Sequence, residues 1–262
     1  MWITPGIGRA QANCKVRTEC SQGNHGMLPL KGGLYACEDA NVWKKVFDIY
    51  QDVIKAKGKK QKKLQALDEW YQKELPASVR SRTDKYLTHD ELVKLMEWKL
   101  TRGKFRPRLQ QMVTSNPRET VETCTKKAFQ LLPDVGAAIT ELSQLKAIGP
   151  ATASAVLTAG CPEMTAFMAD EALQSIPGLT PIQYTLKHYL LYLDKINSCC
   201  SKLNKAGAGV EWTPHLVELC LWAWVMAEKL CPELLETLVS GAVEGGLDNC
   251  VDKRPAKKIR TK

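Results

Sequence analysis

Three short segments of this 262-residue chain hold the residue types from which a binding or catalytic site is built. The first is Gly149-Pro150-Ala151-Thr152, between two stretches of helical spacing. A glycine there lets another backbone or a ligand approach closely, and proline fits a first helical position, where its missing N–H costs nothing. The unpaired N–H groups of such a helix start attract phosphate. The second is Thr101-Arg-Gly-Lys-Phe-Arg-Pro-Arg108. Arg102, Lys104, Arg106 and Arg108 surround a glycine and a proline, so a loop is expected. Its arginines suit bidentate phosphate contact and Phe105 suits stacking on a base. The alternative is a helix-terminal loop whose cations complement the preceding helix dipole. The third is Asp170-Glu171. Neighbouring carboxylates on a helix point about 100° apart and cannot act as a couple, so Asp170 is the single candidate acid. It either works on a ligand or caps a helix over 171–176.

These segments need helices to position them. In Leu142-Ser-Gln-Leu-Lys-Ala-Ile-Gly-Pro-Ala-Thr-Ala-Ser-Ala-Val-Leu157, Leu142 and Leu145 edge one helix and Ile148 plugs the turn. Ala153, Val156 and Leu157 resume an apolar face. Val42, Val46, Ile49 and Val53 begin helical spacing near Asn41, and the lysine run 55–63 breaks it, most simply as a solvated loop, with a localisation signal or a phosphate contact as the alternatives. Leu64 to Glu74 resumes it. Thr88-His-Asp-Glu91 is a capping box, and Gly103 ends the helix it opens. Asn116-Pro117, Thr180-Pro181 and Thr213-Pro214 read as further helix starts, with a side-chain cap followed by proline. Tyr184, His188 and Tyr192 recur at steps of four. They form an aromatic face, expected between helices, or else lining a pocket for a base. His215 is expected on the surface of a first turn, and 216–230, apolar almost all round, at the centre of the core. Alternation bounded by hairpin turns is missing. The expected fold class is all-α: one helical body over 39–240, with the hairpin at 142–157. A disordered lead-in (1–38) and a disordered basic tail (241–262) flank it.

The hairpin resembles that of the helix-hairpin-helix DNA glycosylase superfamily, which reads roughly Leu-x-Gly-Ile-Gly-x-x-Thr-Ala. The matching residues are Leu145, Ile148, Gly149, Thr152 and Ala153, and the resemblance covers the middle third of the chain. An ordinary helical corner is the alternative. The resemblance implies a glycosylase-like helical fold that grips DNA phosphate through Gly149, Ala151 and Thr152, with Arg102, Lys104, Arg106 and Arg108 adding charge. It also implies a catalytic role for Asp170, which sits where that superfamily carries its aspartate beside an extruded base. Three departures weigh against catalysis. Ala147 replaces the first hairpin glycine, Glu171 replaces a small polar residue, and Ala151 stands where bifunctional members carry a lysine that forms a Schiff base. Glu141, Glu163, Asp170 and Glu171 also surround the hairpin with negative charge. Cys199, Cys200, Cys220, Cys231 and Cys250 lack the tight spacing of the iron–sulfur loop of some members, so no cofactor is expected. The expected function is DNA binding by a glycosylase-like protein. A monofunctional DNA N-glycosylase and a helical protein-interaction module that does not bind DNA are the alternatives.

Composition adds limits. The net charge is +9, but six lysines between Lys55 and Lys63 and six cations from Lys253 to Lys262 account for more than all of it. With those twelve set aside the remainder is −3, so charge alone does not argue for DNA. The opening residues lack a secretory pattern, and the longest apolar stretch, Leu219 to Ala227, is too short to span a bilayer. Reduced thiols and no membrane association are therefore expected. Cys14, Cys20, His25 and Cys37 have none of the paired spacings of a zinc site, so no metal is expected. The tail Lys253-Arg-Pro-Ala-Lys-Lys-Ile-Arg-Thr-Lys262 reads as a nuclear import signal, or else as a solvated basic end. Fused to a cytoplasmic reporter it should carry the reporter into the nucleus, and a reporter that stays outside removes that reading.

Overall fold

The computed structural model describes residues 32–207 and 209–240. The readings made for residues 1–31 and for the tail 241–262 lie outside the described residues. Every regular element among the described residues is helical.

The chain enters earlier than the expected boundary at 39. Leu34–Ala36 form a 3₁₀ turn with Leu34 buried, and the Tyr35 hydroxyl donates to the Lys195 carbonyl at 3.3 Å. Helix α1 (Ala40–Asp48) starts where the Asp39 carboxylate accepts the Asn41 N–H. Helix α2 (Tyr50–Gly58) continues through half of the lysine run that was expected to be a loop. Helices α3 (Leu64–Glu69) and α4 (Leu75–Ser81) are joined by a π-helical turn at Trp70–Glu74. Helix α5 (His89–Arg102) opens on the capping box of Thr88 and Glu91 and closes at Gly103, as its sequence signals require.

Helices α6 (Pro107–Thr114), α7 (Arg118–Gln130) and α8 (Val135–Leu142) lead to the hairpin. Asn116 does not cap α7. Its Oδ1 accepts the Lys146 N–H at 2.9 Å, and its Nδ2 donates to the carbonyls of Val113 at 2.8 Å and Lys146 at 3.1 Å. One buried side chain thus clamps the hairpin turn from outside. The turn also places its special conformation elsewhere than expected. Ala147 is left-handed at φ 66°, whereas Gly149 is ordinary extended backbone at φ −103°. A Cβ on Gly149 would meet nothing within 4 Å.

Helix α9 (Pro150–Gly160) was expected to be amphipathic but is buried on all sides, from Ala151 to Gly160. Small residues allow this. Its hydroxyls find partners inside: Ser154 accepts the Met168 N–H at 2.9 Å, and Thr158 bonds Thr165 at 3.2 Å. At Gly160 a Cβ would lie 2.4 Å from the Phe129 ring, so glycine is required there for space. Helix α10 (Asp170–Ser175) is followed by irregular chain through Pro181, whose peptide bond with Thr180 is cis. No helix starts at Thr180. The start is at Thr185, which caps α11 (Leu186–Ala206) by accepting the His188 N–H. Tyr184 therefore lies before the helix, while Tyr192 is buried in the core.

Thr213 caps α12 (Pro214–Leu230) as expected, and this helix is central, packing against α1, α2, α10 and α11. Helix α13 (Glu233–Ser240) closes the order. His215 is not a surface residue. Its Nε2 bonds the Gln72 Oε1 at 2.8 Å, and burial, helped by the Arg102 charge, pushes it down to about 3. Cys124, Cys161, Cys199, Cys200, Cys220 and Cys231 are buried free thiols acting as small core residues. No helix of the described residues is long and apolar enough to cross a membrane.

Two substitutions test the turn. Ala147→Gly removes a left-handed Cβ and should raise unfolding stability by about 1 kcal/mol. Asn116→Ala leaves the Lys146 backbone unpaired and should lower it by about 1–3 kcal/mol. Urea unfolding measures both; equal midpoints for all three proteins would refute this account of the turn.

Candidate functional site

A cleft of about 210 Å³ opens where the C-terminal end of α5, the start of α9 and the start of α10 converge. It contains Asp170, Gly149, Ala151, Thr152, Lys104 and Arg106, and its wall includes Arg102, Lys99, Tyr184 and Trp222. The structure thus brings together most of the residues singled out in the sequence, from three separate segments. Arg108 is exposed on the first turn of α6 and does not line it.

The cleft is anchored by one buried ion pair. Arg102 and Glu218 are each 1 % exposed at the side chain and meet at 2.8 and 3.3 Å. The guanidinium also stacks 4.3 Å from the Trp222 ring centroid and lies near the rings of Trp98 and Phe167. The Lys57 ammonium donates to the Arg102 carbonyl at 2.5 Å. Arg102 was expected to contact phosphate. Glu218, unremarkable in the sequence, holds it inside instead, so it acts as a pillar between α5 and α12. A second buried carboxylate, Asp68, accepts from the Tyr50 hydroxyl and the Trp98 indole, each at 2.9 Å, beneath the same wall.

The chain leading to Asp170 is irregular yet buried, which obliges side chains to satisfy its backbone. The Tyr189 hydroxyl donates to the Ala166 carbonyl at 3.2 Å and that of Tyr192 to the Phe167 carbonyl at 2.9 Å. Burial raises both phenols well above their usual range, so they remain donors. Asp170 then begins α10 with Ala169 as the capping position. It is therefore not the cap weighed for it. Its Oδ1 accepts from the Tyr184 hydroxyl at 2.7 Å and its Oδ2 pairs with Lys104 at 3.0 Å. Arg106 sits 5.5 Å over the Tyr184 ring. Burial, followed by the hydrogen bond to Asp170, raises the Tyr184 phenol.

At the hairpin, the Thr152 N–H donates to the Gly149 carbonyl at 2.9 Å, which withdraws it from the donors expected to meet phosphate. The N–H groups of Gly149 and Ala151 make no such backbone bond among the described residues. The Thr152 hydroxyl accepts from the Lys99 Nζ at 2.8 Å. Lys99 is half-buried on α5, and no carboxylate among the described residues pairs with it. Burial foremost, then the Arg106 charge, brings it down to about 8 against the opposing pull of Asp170. Lys99 escapes a sequence reading because a lysine in the last turn of a helix is the ordinary complement to its dipole. Only the fold turns it under α9.

Of the four acids read from the sequence, Glu141 and Asp170 are paired, whereas Glu163 and Glu171 have no ion pair among the described residues and Glu171 lines the cleft. Glu141 pairs with Lys127 at 2.8 Å and Asp170 with Lys104, while Arg106 and Lys99 have no carboxylate partner among the described residues. Compared with protein-family models, curated proteins and solved structures, the chain matches none.

The buried pair gives a thermodynamic test. Arg102→Met or Glu218→Leu alone should cost about 3–5 kcal/mol, because each leaves the other side chain buried without its partner. The double replacement Arg102→Met with Glu218→Leu should recover much of that loss. Denaturant titration of the four proteins measures the coupling, and strictly additive losses would show that the two side chains act independently.

Proposed function

We propose that this protein binds DNA in the manner of a helix-hairpin-helix protein, with a phosphate at the start of α9 and a neighbouring nucleotide entering the cleft beside Asp170. One observation carries the reading: Gly149 and Ala151, whose N–H groups make no backbone bond among the described residues, the cations Lys104 and Arg106, and Asp170 with Glu171 all line a single cleft. Backbone donors at a helix start suit an anion without regard to sequence. Arg106 adds a planar cation at the rim, and Phe105, 74 % exposed in the same loop, offers an aromatic face to a base. Contacts of this kind set position and affinity rather than base choice.

Base excision by a monofunctional glycosylase is the second reading, favoured by the seating of Asp170. A carboxylate fixed by Tyr184 and Lys104 beside an extruded nucleotide would stabilise positive charge developing on the sugar. The Lys104 ammonium offsets that charge. Binding therefore has the stronger support, and excision requires Lys104 to swing away.

The open space beyond Gly149 supplies the mutational test. Gly149→Val should fold normally, since its Cβ would meet nothing, yet place a side chain where the ligand must approach. Duplex binding should follow log–log salt dependence. It should weaken at least tenfold in Gly149→Val and in Lys104→Glu/Arg106→Glu, and persist in Asp170→Asn. A wild-type protein with no salt-sensitive duplex binding would overturn the proposal. Excision of damaged or mismatched bases, lost in Asp170→Asn, would promote the second reading.

A further inference from the structure

The lysine run 55–63 is a motif of the sequence that does not line the cleft. The structure folds its first half around a second hollow, of about 640 Å³, between the end of α2 with the turn after it and the junction of α12 and α13. Lys55, Lys57, Lys59, Lys60 and Lys229 line this hollow, with Asp52 and Glu233 as its carboxylates. Five ammonium groups against two carboxylates leave three positive charges on one concave surface. Lys55 pairs with Asp52 at 3.0 Å, and the Lys57 ammonium is engaged by the Arg102 carbonyl. Lys59, Lys60 and Lys229 are exposed and have no carboxylate partner among the described residues. A lysine in the last turn of a helix complements its dipole. That does not account for amines from two helix ends and a turn gathered round one hollow. Ala56, Met226, Leu230 and Leu234 supply apolar walls. A hollow with charge of one sign and walls of low dielectric focuses its field on whatever enters, and this one has the size of a pocket for a small molecule.

We infer that this hollow is a second anion site, separate from the cleft, and that its ligand carries two or more closely linked phosphates. One phosphate group on an ester carries about −1.5 to −2 at neutral pH. A single phosphate therefore leaves part of the charge unmet, and two or three linked ones meet it. An ammonium is a point charge on a flexible stem, suited to phosphate oxygens in many orientations. No arginine and no aromatic ring lines the hollow among the described residues. The planar fork that recognises a carboxylate and the platform that stacks a base are thus both missing. An acidic peptide brings one charge per side chain, with residues about 3.3 Å apart along an extended chain, and places less charge in the same volume. The inference does not depend on the reading of the cleft. Two sources supply linked phosphates, a free polyphosphate and the backbone of a nucleic acid.

The experiment titrates the whole protein calorimetrically with tripolyphosphate, orthophosphate and a hexaglutamate peptide. Tripolyphosphate should bind at least tenfold more tightly than either of the others. The triple variant Lys59→Gln/Lys60→Gln/Lys229→Gln should lose at least tenfold of that affinity. Lys62→Gln, exposed in the same run but outside the hollow, should leave it within about threefold, and so should Lys104→Glu/Arg106→Glu at the cleft. All of these side chains are exposed, so each variant should fold, and circular dichroism checks that it does. Duplex binding by the triple variant then identifies the source. A tenfold loss assigns the hollow to a nucleic-acid backbone, and unchanged duplex binding assigns it to a free polyphosphate. Tripolyphosphate bound no more tightly than orthophosphate, bound equally by the triple variant, or outdone by hexaglutamate overturns the inference. The two proposals fail separately. Tripolyphosphate binding that needs the hollow, in a protein that binds no duplex, refutes the reading of the cleft and keeps this site. Salt-sensitive duplex binding with no such tripolyphosphate binding refutes this site and keeps the cleft.

Discussion

The ion pair between Arg102 and Glu218 is the constraint on which the cleft depends. Two charges are taken out of water at large cost, and that cost is met only when each has its partner in place. Arg102 ends α5, so fixing its guanidinium fixes where the chain leaves the helix and hence where Lys104 and Arg106 begin their loop. Glu218 lies within α12, which packs against α1, α2, α10, α11 and α13. The pair therefore ties the cationic rim to the centre of the core. Trp98, Phe167 and Trp222 surround the guanidinium and shield its charge, and Phe167 and Trp222 of this cage also line the cleft.

Around that anchor, the walls are built by different means. The α9 wall is a helix of small residues sunk among its neighbours, with hydroxyls turned inward to local acceptors. The α5 wall is strongly amphipathic, with Leu92, Leu95, Met96 and Leu100 inside. The third wall has no regular structure before Asp170 and relies on side chains for its hydrogen bonds. Rigid backbone on two sides and a cross-linked segment on the third hold Asp170, Lys99 and the Gly149 amide in fixed relation, as a preorganised site requires.

Much of this was legible in the sequence where the signal is local. The capping box at Thr88, the cap at Thr213, the stop at Gly103 and the all-helical character each rest on short-range hydrogen bonding or periodicity. What was not legible depends on partners far away in the chain. Arg102 reads as a loop cation until Glu218, 116 positions later, is found against it. Asn116 followed by proline carries the signature of a helix cap, but its amide finds the hairpin backbone, a stronger claim than a local N–H. The glycine of the hairpin motif suggested where the backbone would bend, and the left-handed residue is Ala147 instead. Most of the residues first picked out line one cleft, because charge and glycine content mark the loops that bound it. Lys99, which lines the same cleft, has no local mark at all.

The buried segment from Thr165 to Ala169 has a consequence for how such a site changes over generations. Its carbonyls are met by phenol hydroxyls on α11, at positions that do not face the cleft. Exchanging one of those tyrosines for phenylalanine would keep the apolar packing and remove a single hydrogen bond, letting the chain before Asp170 relax by a fraction of an ångström. The reach of the carboxylate can thus drift through alterations on a neighbouring helix while every residue that meets a ligand stays the same. In such a molecule the identity of the cleft residues and the shape of the cleft can part company, and a lineage can alter the geometry with an unaltered set of lining residues.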